Sequence, residues 1–344
     1  MNGSRDAAEV RPDRLMRRID AVVAVSERLA RRSARRRPPV AAVHRDLALV
    51  VTEVRQEASD VVGVRFARPG GGPLPVWHPG AHLDLVLPSG RVRQYSLCGD
   101  PADRAAYRIA VRRIADGAGG SVEVHALPPG TPVTARGPRT AFPLVSEPAY
   151  LFLAGGIGIT PILPMVRAAA ARGADWRLVH TGRDRASLPL TPAATDLDPT
   201  RVWLRPDDGH GGPPTAADLL DGLPAGAAIY CCGPPPMIEA VRRAVPAGHA
   251  FHAERFSPPL VLGGRPFTVE LARRGGTVEV PADGSVLEAV QAVAPDIAFS
   301  CRQGFCGTCH VRVLAGQVAG GHSAPGEMAL CVARAAGDRV VLDL

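Results

Sequence analysis

The sequence predicts a multidomain chain of α+β and α/β class: a β-barrel, then a doubly wound parallel sheet, then a β-grasp domain. Three observations carry this. From Leu47 to about Val145 six short β-rich runs alternate with turns; from Ala149 to Ala244 strands alternate with helices; and from Phe267 the order is strand, strand, helix, strand around closely spaced cysteines.

A chain of 344 residues is too long for one ordinary core and suggests two or three domains of about 100 to 150 residues. No window holds 18 uninterrupted apolar residues, so a spanning helix is not expected and the protein should be soluble. Residues 1–45 carry 12 arginines against 5 acids, a net +7 that equals the excess of the whole chain, so the rest is balanced. A nucleic-acid partner would require a basic face on the folded body and is not expected.

Residues 12–37 read as a basic amphipathic helix, with Leu15, Ile19, Val22, Val23 and Leu29 at roughly helical spacing, ended by Pro38-Pro39. Asp20 interrupts its apolar part and no cleavage site follows, so it is not a secretory signal. It lies outside every motif and is expected to be dispensable for the chemistry.

The barrel strands are expected at Leu47–Val54, Val61–Arg68, His82–Val86, Arg93–Leu97, Tyr107–Arg113 and Thr131–Ala135, with one short helix at Gly120–Leu127. In Arg93-Gln94-Tyr95-Ser96-Leu97, alternation places Arg93, Tyr95 and Leu97 on one side and Ser96 on the other. A cation for phosphate, an aromatic face and a hydroxyl make a plausible flavin seat, although an arginine beside a tyrosine on an exposed strand is commonplace. Gly117-Ala118-Gly119-Gly120-Ser121 opens the short helix, where bare N–H groups can hold a phosphate or simply form a turn.

Ala149–Ala154 is a buried-type strand running into Gly155-Gly156-Ile157-Gly158-Ile159-Thr160-Pro161 and a helix to about Arg172. Strand, glycine turn, helix is the context that receives a dinucleotide pyrophosphate, although the pattern is not G-x-G-x-x-G. Strands Arg177–His180, Arg201–Leu204 and Ala228–Cys232 alternate with helices Pro214–Leu220 and Pro236–Ala244, as in an open parallel sheet. Cys232-Gly233-Pro234 closes a buried strand at the carboxyl edge of that sheet, where ligands bind; by itself Cys232 could equally be a small core residue. His252-Ala253-Glu254-Arg255-Phe256 is expected to follow the last strand, with Glu254 either functional or a solvated surface acid.

Ser257–Pro266 reads as a linker. Beyond it, Phe267–Leu271 and Thr277–Pro281 form a hairpin, Val286–Ala294 a helix, and Val311–Ala315 and Arg339–Leu344 strands. Cys301, Cys306 and Cys309 stand at C-x4-C-x2-C, with Cys331 farther on, the spacing that wraps one loop around a [2Fe–2S] cluster. Gly304 and Gly307 lie between ligands, where the loop needs angles that a Cβ hinders. A structural zinc site would use two short cysteine pairs, whereas only Cys306 and Cys309 form one. Cys98, Cys231 and Cys232 are too scattered to make a disulfide framework.

Taken together, the R-x-Y-S strand and the glycine turn 24 residues on resemble the flavin domain of the ferredoxin–NADP reductase superfamily, and Phe267 to Leu344 resembles a plant-type ferredoxin. The interval between Cys309 and Cys331 looks shorter than in most such ferredoxins. Flavin barrel, nucleotide domain and ferredoxin in this order resemble the phthalate dioxygenase reductase family, which includes vanillate demethylase reductases, over about residues 46–344.

The resemblance implies a basic extension 1–45, a flavin barrel 46–146, an NAD domain 147–257, a linker 258–266 and a ferredoxin domain 267–344. It implies FMN, with FAD as the alternative, and NADH, with NADPH possible because Arg183 and Arg185 follow the second nucleotide strand. Arg93, Tyr95, Ser96, Leu97, Gly119, Gly120 and Ser121 would seat the flavin, with Ser96 near its reacting edge. Gly155, Gly156, Ile157, Gly158 and Thr160 would take the dinucleotide, with Cys232 near the nicotinamide and Gly233 and Phe256 also cofactor-binding; Ser96, Cys232 and Glu254 are the catalytic candidates. Hydride brings two electrons whereas the cluster takes one at a time, and flavin mediates between them. The expected product is a cytoplasmic, monomeric NAD(P)H oxidoreductase serving a Rieske oxygenase or a cytochrome P450. A protein that only carries electrons or senses redox state is the alternative, and it would not oxidise NADH with artificial acceptors.

Overall fold

The computed structural model describes residues 46–344 apart from 116, 118, 257–262, 300–303, 305–306 and 321–323. The expected helix over 12–37, the first part of the linker, and Cys301 and Cys306 lie outside the described residues.

Strands β1 (Asp46–Ala58), β2 (Val61–Ala67), β3 (Ala81–Val86), β4 (Val92–Ser96), β5 (Tyr107–Arg112) and β6 (Pro132–Thr140) form one antiparallel sheet. Its order is β4-β3-β6-β1-β2-β5. Cys98 N–H, just past β4, donates to Arg108 O on β5 at 2.9 Å, which brings the two outer strands together and rolls the sheet into a barrel. Leu49, Val51, Val64, Phe66, Leu83 and Leu85 fill its interior, each from the inward positions of a period-2 strand. β1 runs past the expected Val54 because the Glu57 carboxylate, only 4% exposed, is held by Arg108 at 2.5 Å and Arg55 at 3.1 Å. That pairing lets a polar stretch stay in the sheet. Helix α1 (Gly120–His125) is the short helix expected between β5 and β6.

The second sheet is parallel throughout and ordered β11-β10-β7-β8-β9, from β7 (Ala149–Gly155), β8 (Asp175–Gly182), β9 (Val202–Pro206), β10 (Ala228–Cys232) and β11 (Phe251–Glu254). Between them run α2 (Ile159–Ala171), α3 (Thr191–Thr195), α4 (Ala216–Leu220) and α5 (Pro235–Ala244). Alternate residues of the strands serve opposite faces. Tyr150, Phe152 and Cys232 share a core with Ile162 and Val166 of α2, while Leu151, Leu153 and Cys231 pack with Leu219 of α4 and Ile238 of α5. The first of these cores also takes in Val61, Cys98 and Ala110 of the barrel, so barrel and sheet are continuous through apolar contact. One expectation is corrected here. His252–Glu254 does not follow the last strand but forms most of it, because Ile229–Cys232 offers Phe251–Glu254 a free edge in parallel register.

The third sheet, ordered β13-β12-β18-β14-β16, comprises β12 (Phe267–Leu271), β13 (Thr277–Val280), β14 (His310–Ala315), β16 (Glu327–Ala329) and β18 (Arg339–Leu342). β15 (Val318–Ala319) pairs separately with β17 (Arg334–Ala335). β18 runs parallel to β12 and antiparallel to β14, the β-grasp arrangement. Helix α6 (Val286–Gln291) starts from a capping box in which Ser285 Oγ accepts from Glu288 N–H, and it buries Val286, Leu287 and Val290. Strands β15, β16 and β17 are too short to show alternation, so pattern reading passes over them. Among the described residues no helix is long and apolar enough to cross a membrane.

Candidate functional site

A cleft of about 260 Å³ lies where the barrel meets the first loop of the parallel sheet. Arg93, Tyr95 and Ser96 of β4 line one wall, Val111 and Arg112 of β5 and Gly120 and Ser121 of α1 another, and Ile157, Thr160 and Phe256 approach from the nucleotide side. Two motifs some 60 residues apart in sequence therefore face one space. An added Cβ at Gly120 would lie 2.7 Å from Arg93 Cγ, so the arginine stem rests against bare backbone at the start of α1. Gly119 caps that helix at φ 77°, a left-handed angle suited to glycine. Ser121 Oγ accepts from Ile114 N–H at 3.0 Å and so pins the loop leading to the helix. Burial raises the Tyr95 phenol to about 12 and keeps it neutral. Leu97 is placed differently from expectation: it stays in register opposite Ala81 of β3 and is fully buried in the barrel core, so it does not line the cleft.

The glycine turn is built by close approach. A Cβ at Gly155 would fall 2.6 Å from Pro234 Cδ and 3.0 Å from Gly233 Cα, and one at Gly158 only 2.1 Å from Cys232 O. The 155–158 turn and the Cys232-Gly233-Pro234 turn thus pack backbone to backbone at the carboxyl ends of β7 and β10, the edge where open α/β sheets bind ligands. Gly156 has φ 54° and lies under the Arg112 guanidinium, whose Nη1 would be 2.8 Å from a Cβ there. His180 Nε2 meets Gly156 O at 3.0 Å; burial lowers this imidazole to about 4, so it is neutral and donates. Thr160 Oγ1 donates to Ile157 O at 3.0 Å and closes the turn.

Arg112, Asp60 and His180 are site residues that motif reading passes over. Arg112 Nη2 donates to Ser187 O at 2.9 Å and Nε lies 3.2 Å from Asp60 Oδ2, while Ser59 N–H donates to Ala186 O at 2.9 Å. The barrel thereby grips the 3-10 turn Arg185–Ser187 that follows β8. The available signal was a lone arginine closing an apolar strand.

Cys232 is fully buried and its thiol is pushed well above the usual range, by burial first and then by Glu254 and Cys231. It stands beside Glu254 in the β10–β11 register. Glu254 is not a solvated acid: its Oε2 is buried without a hydrogen-bond partner, and burial raises the carboxyl from 4.5 to about 8. Between these values the folded protein keeps a proton that the unfolded chain releases, so stability falls as pH rises through this window. Glu254→Gln is expected to flatten that fall. Tm measured from about pH 5 to about pH 8 checks it, and an unchanged slope would show that the carboxyl is not buried in its neutral form.

In the β-grasp domain Cys309 and Cys331 are both buried, with their sulfurs 3.3 Å apart. That is too far for a disulfide, about 2.05 Å, and close to the roughly 3.7 Å between two thiolates on one tetrahedral metal at about 2.3 Å. The Cys331 thiol beside it lowers Cys309 to about 6, toward the thiolate that iron needs. Gly304 and Gly307 have φ 84° and 71°, which allows the chain to curl between the cysteine positions. Among the described residues, Cys309 and Cys331 thus stand as two thiol donors that could share one iron.

The 2Fe-2S iron-sulfur cluster binding domain family matches residues 269–336. The reductase subunit TsaB1 of the toluene-4-sulfonate monooxygenase system of Comamonas testosteroni is 37% identical over 87% of this chain and 99% of its own. Phthalate dioxygenase reductase of Burkholderia cepacia is 33% identical over 87% and 97%. Among solved structures, phthalate dioxygenase reductase superposes with a TM-score of 0.68 at 31% identity, covering 87% of this chain and 98% of that one. CYP116B46 of Tepidiphilus thermophilus matches at TM-score 0.67 and 36% identity over 87% of this chain, which spans 42% of that one.

Proposed function

Because the chain belongs to the phthalate dioxygenase reductase family, the NAD(P)H-dependent flavin and [2Fe–2S] oxidoreductases that serve oxygenases, we propose that it is an FMN-containing reductase that prefers NADH to NADPH. Its acceptor is a Rieske oxygenase or cytochrome P450 component, and it acts as a cytoplasmic monomer. The observation that carries the reading is the single cleft faced by Ser96 of the barrel and by Ile157 and Thr160 of the glycine turn. FMN is what the resemblance of the three-domain order to this family implies. When bound, flavin supplies the change from two-electron hydride to the single electrons a cluster accepts.

The chain's own residues supply position. Arg93 and the start of α1 orient the phosphate end, Tyr95 the ring, and the Ser96 hydroxyl faces the reacting edge. The 155–158 turn and Arg112 receive the pyrophosphate, and the buried, neutral Cys232 and Glu254 exclude water from the nicotinamide side. We place the domains at 46–146, 147–257 and 267–344, with the linker at 258–266.

NADH preference is supported at the end of β8. Arg183 lies 3.5 Å from Asp60, and Asp207 and Asp208 hydrogen-bond through their backbone N–H groups to Gly182 O and Arg183 O, so two acids border the place where a 2′-phosphate would sit. Steady-state kcat/KM is expected to favour NADH by at least about tenfold, some 1.4 kcal/mol. Chromatography of the released flavin should show FMN. A clear NADPH preference would overturn the first claim, and released FAD the second.

A further inference from the structure

Behind the cleft, one face of β3 carries a buried polar row. His82 is 5% exposed and Asp84 8%, and Ser96 on the neighbouring strand is 8% exposed. His82 pairs directly across with Ser96 on β4 and with Arg139 on β6. Leu97 N–H donates to Ala81 O at 2.9 Å, so Ala81 and Leu97 form a hydrogen-bonded pair. His82 and Ser96, next in register, therefore form a non-hydrogen-bonded pair, the kind whose side chains lie closer and on one face.

Polar groups buried in this way normally find partners. Asp84 Oδ2 is held by Arg139, but Asp84 Oδ1 and His82 Nε2 are buried with no hydrogen-bond partner. Among the described residues no protein hydrogen bond holds the Ser96 hydroxyl, which lines the cleft. One side of the pair is an orphaned ring nitrogen and the other an untethered hydroxyl at the functional edge.

We propose that His82, backed by the Asp84–Arg139 pair, is a positioning residue that fixes the Ser96 hydroxyl toward the flavin edge. The inference rests on the reading of the cleft as the flavin seat. A neutral imidazole can accept from or donate to a hydroxyl through Nε2. His82 acts through Ser96 and touches no substrate.

The test is a double-mutant cycle on the flavin-loaded protein, read as NADH-to-ferricyanide kcat and KM, with flavin content and Tm recorded for each variant. His82→Leu is expected to lower kcat about tenfold while KM for NADH changes less than about twofold, the pattern of an interaction felt in the reacting complex. His82→Gln, which restores a polar terminus at similar reach, should recover to within about threefold of the parent. In a Ser96→Ala background, His82→Leu should change kcat less than about twofold, because the group it acts through is gone. If His82→Leu does not fold, His82→Asn, polar but too short, takes its place with the same expected values.

Fully multiplicative effects of the two substitutions would overturn the proposal, as would a His82→Gln variant that retains flavin yet is no faster than His82→Leu. A Ser96→Ala variant with unchanged kcat would instead remove Ser96 from the flavin seat, a failure of the underlying reading distinct from that of His82.

Discussion

Replacing Cys331 with serine is expected to abolish the [2Fe–2S] EPR signal and visible absorption while leaving NADH-to-ferricyanide turnover within about twofold, because ferricyanide can take electrons from the flavin half. Cys331 is 4% exposed and its sulfur lies 3.3 Å from that of Cys309. A serine oxygen is harder, more strongly protonated and set on a shorter bond, so it does not reproduce a thiolate ligand at this place. Turnover with cytochrome c or the oxygenase component should collapse, since those acceptors would be served from the cluster. A Cys331→Ser protein that keeps its EPR signal and its oxygenase-coupled rate would remove Cys331 from the ligand set.

Gly158→Ala should do the converse, blocking entry of reducing equivalents while sparing the cluster. The added methyl would lie 2.1 Å from Cys232 O and 2.6 Å from Cys232 C. The obstruction is backbone on a fully buried strand and cannot rotate aside as a side chain could. Overpacking of this kind costs about 1 to 3 kcal/mol or more, and here it prises apart the two turns proposed to receive the dinucleotide. kcat/KM for NADH is expected to fall at least about 100-fold, equivalent to about 2.7 kcal/mol. Gly209→Ala, in the turn that follows β9, serves as the control, since its Cβ would meet nothing nearer than Pro206 at 3.9 Å. Retention of NADH turnover within about threefold in Gly158→Ala would mean that this contact is not needed for binding.

The sequence carried the elements with strong periodicity or fixed spacing. The fully buried β7, the glycine turn after it, the six barrel strands and the β-grasp order all announce themselves through local pattern. The parts that stayed hidden depend on what lies across the fold. Leu97 continues the alternation of β4 and still pairs with Ala81, but alternation has no means of showing that the barrel core closes over this face at that level. Glu254 reads locally as a surface acid; only its place on β11 beside Cys232 shows that the carboxyl is buried. Arg112 and Asp60 meet through a strand end and a turn with no motif of their own. The polar row of β3 is written as His-Leu-Asp, an ordinary half-buried strand until its cross-strand neighbours are known.

The grip of Ser59 and Arg112 on the 185–187 turn, together with the apolar core shared by Val61, Ala110, Phe152 and Ile162, bears on how such reductases recombine. A crossover placed near residue 146 would separate Arg112 from Ser187 and split one core between two parents, so chimeras joined there should inherit mismatched surfaces. One placed within the proline- and glycine-rich stretch 258–266 would exchange a module whose apolar cluster, built on Phe267, Val269 and Val340, is its own. In a shuffled library, barrel and nucleotide sheet should therefore survive as a single inherited cassette, with the cluster-bearing module as the interchangeable plug.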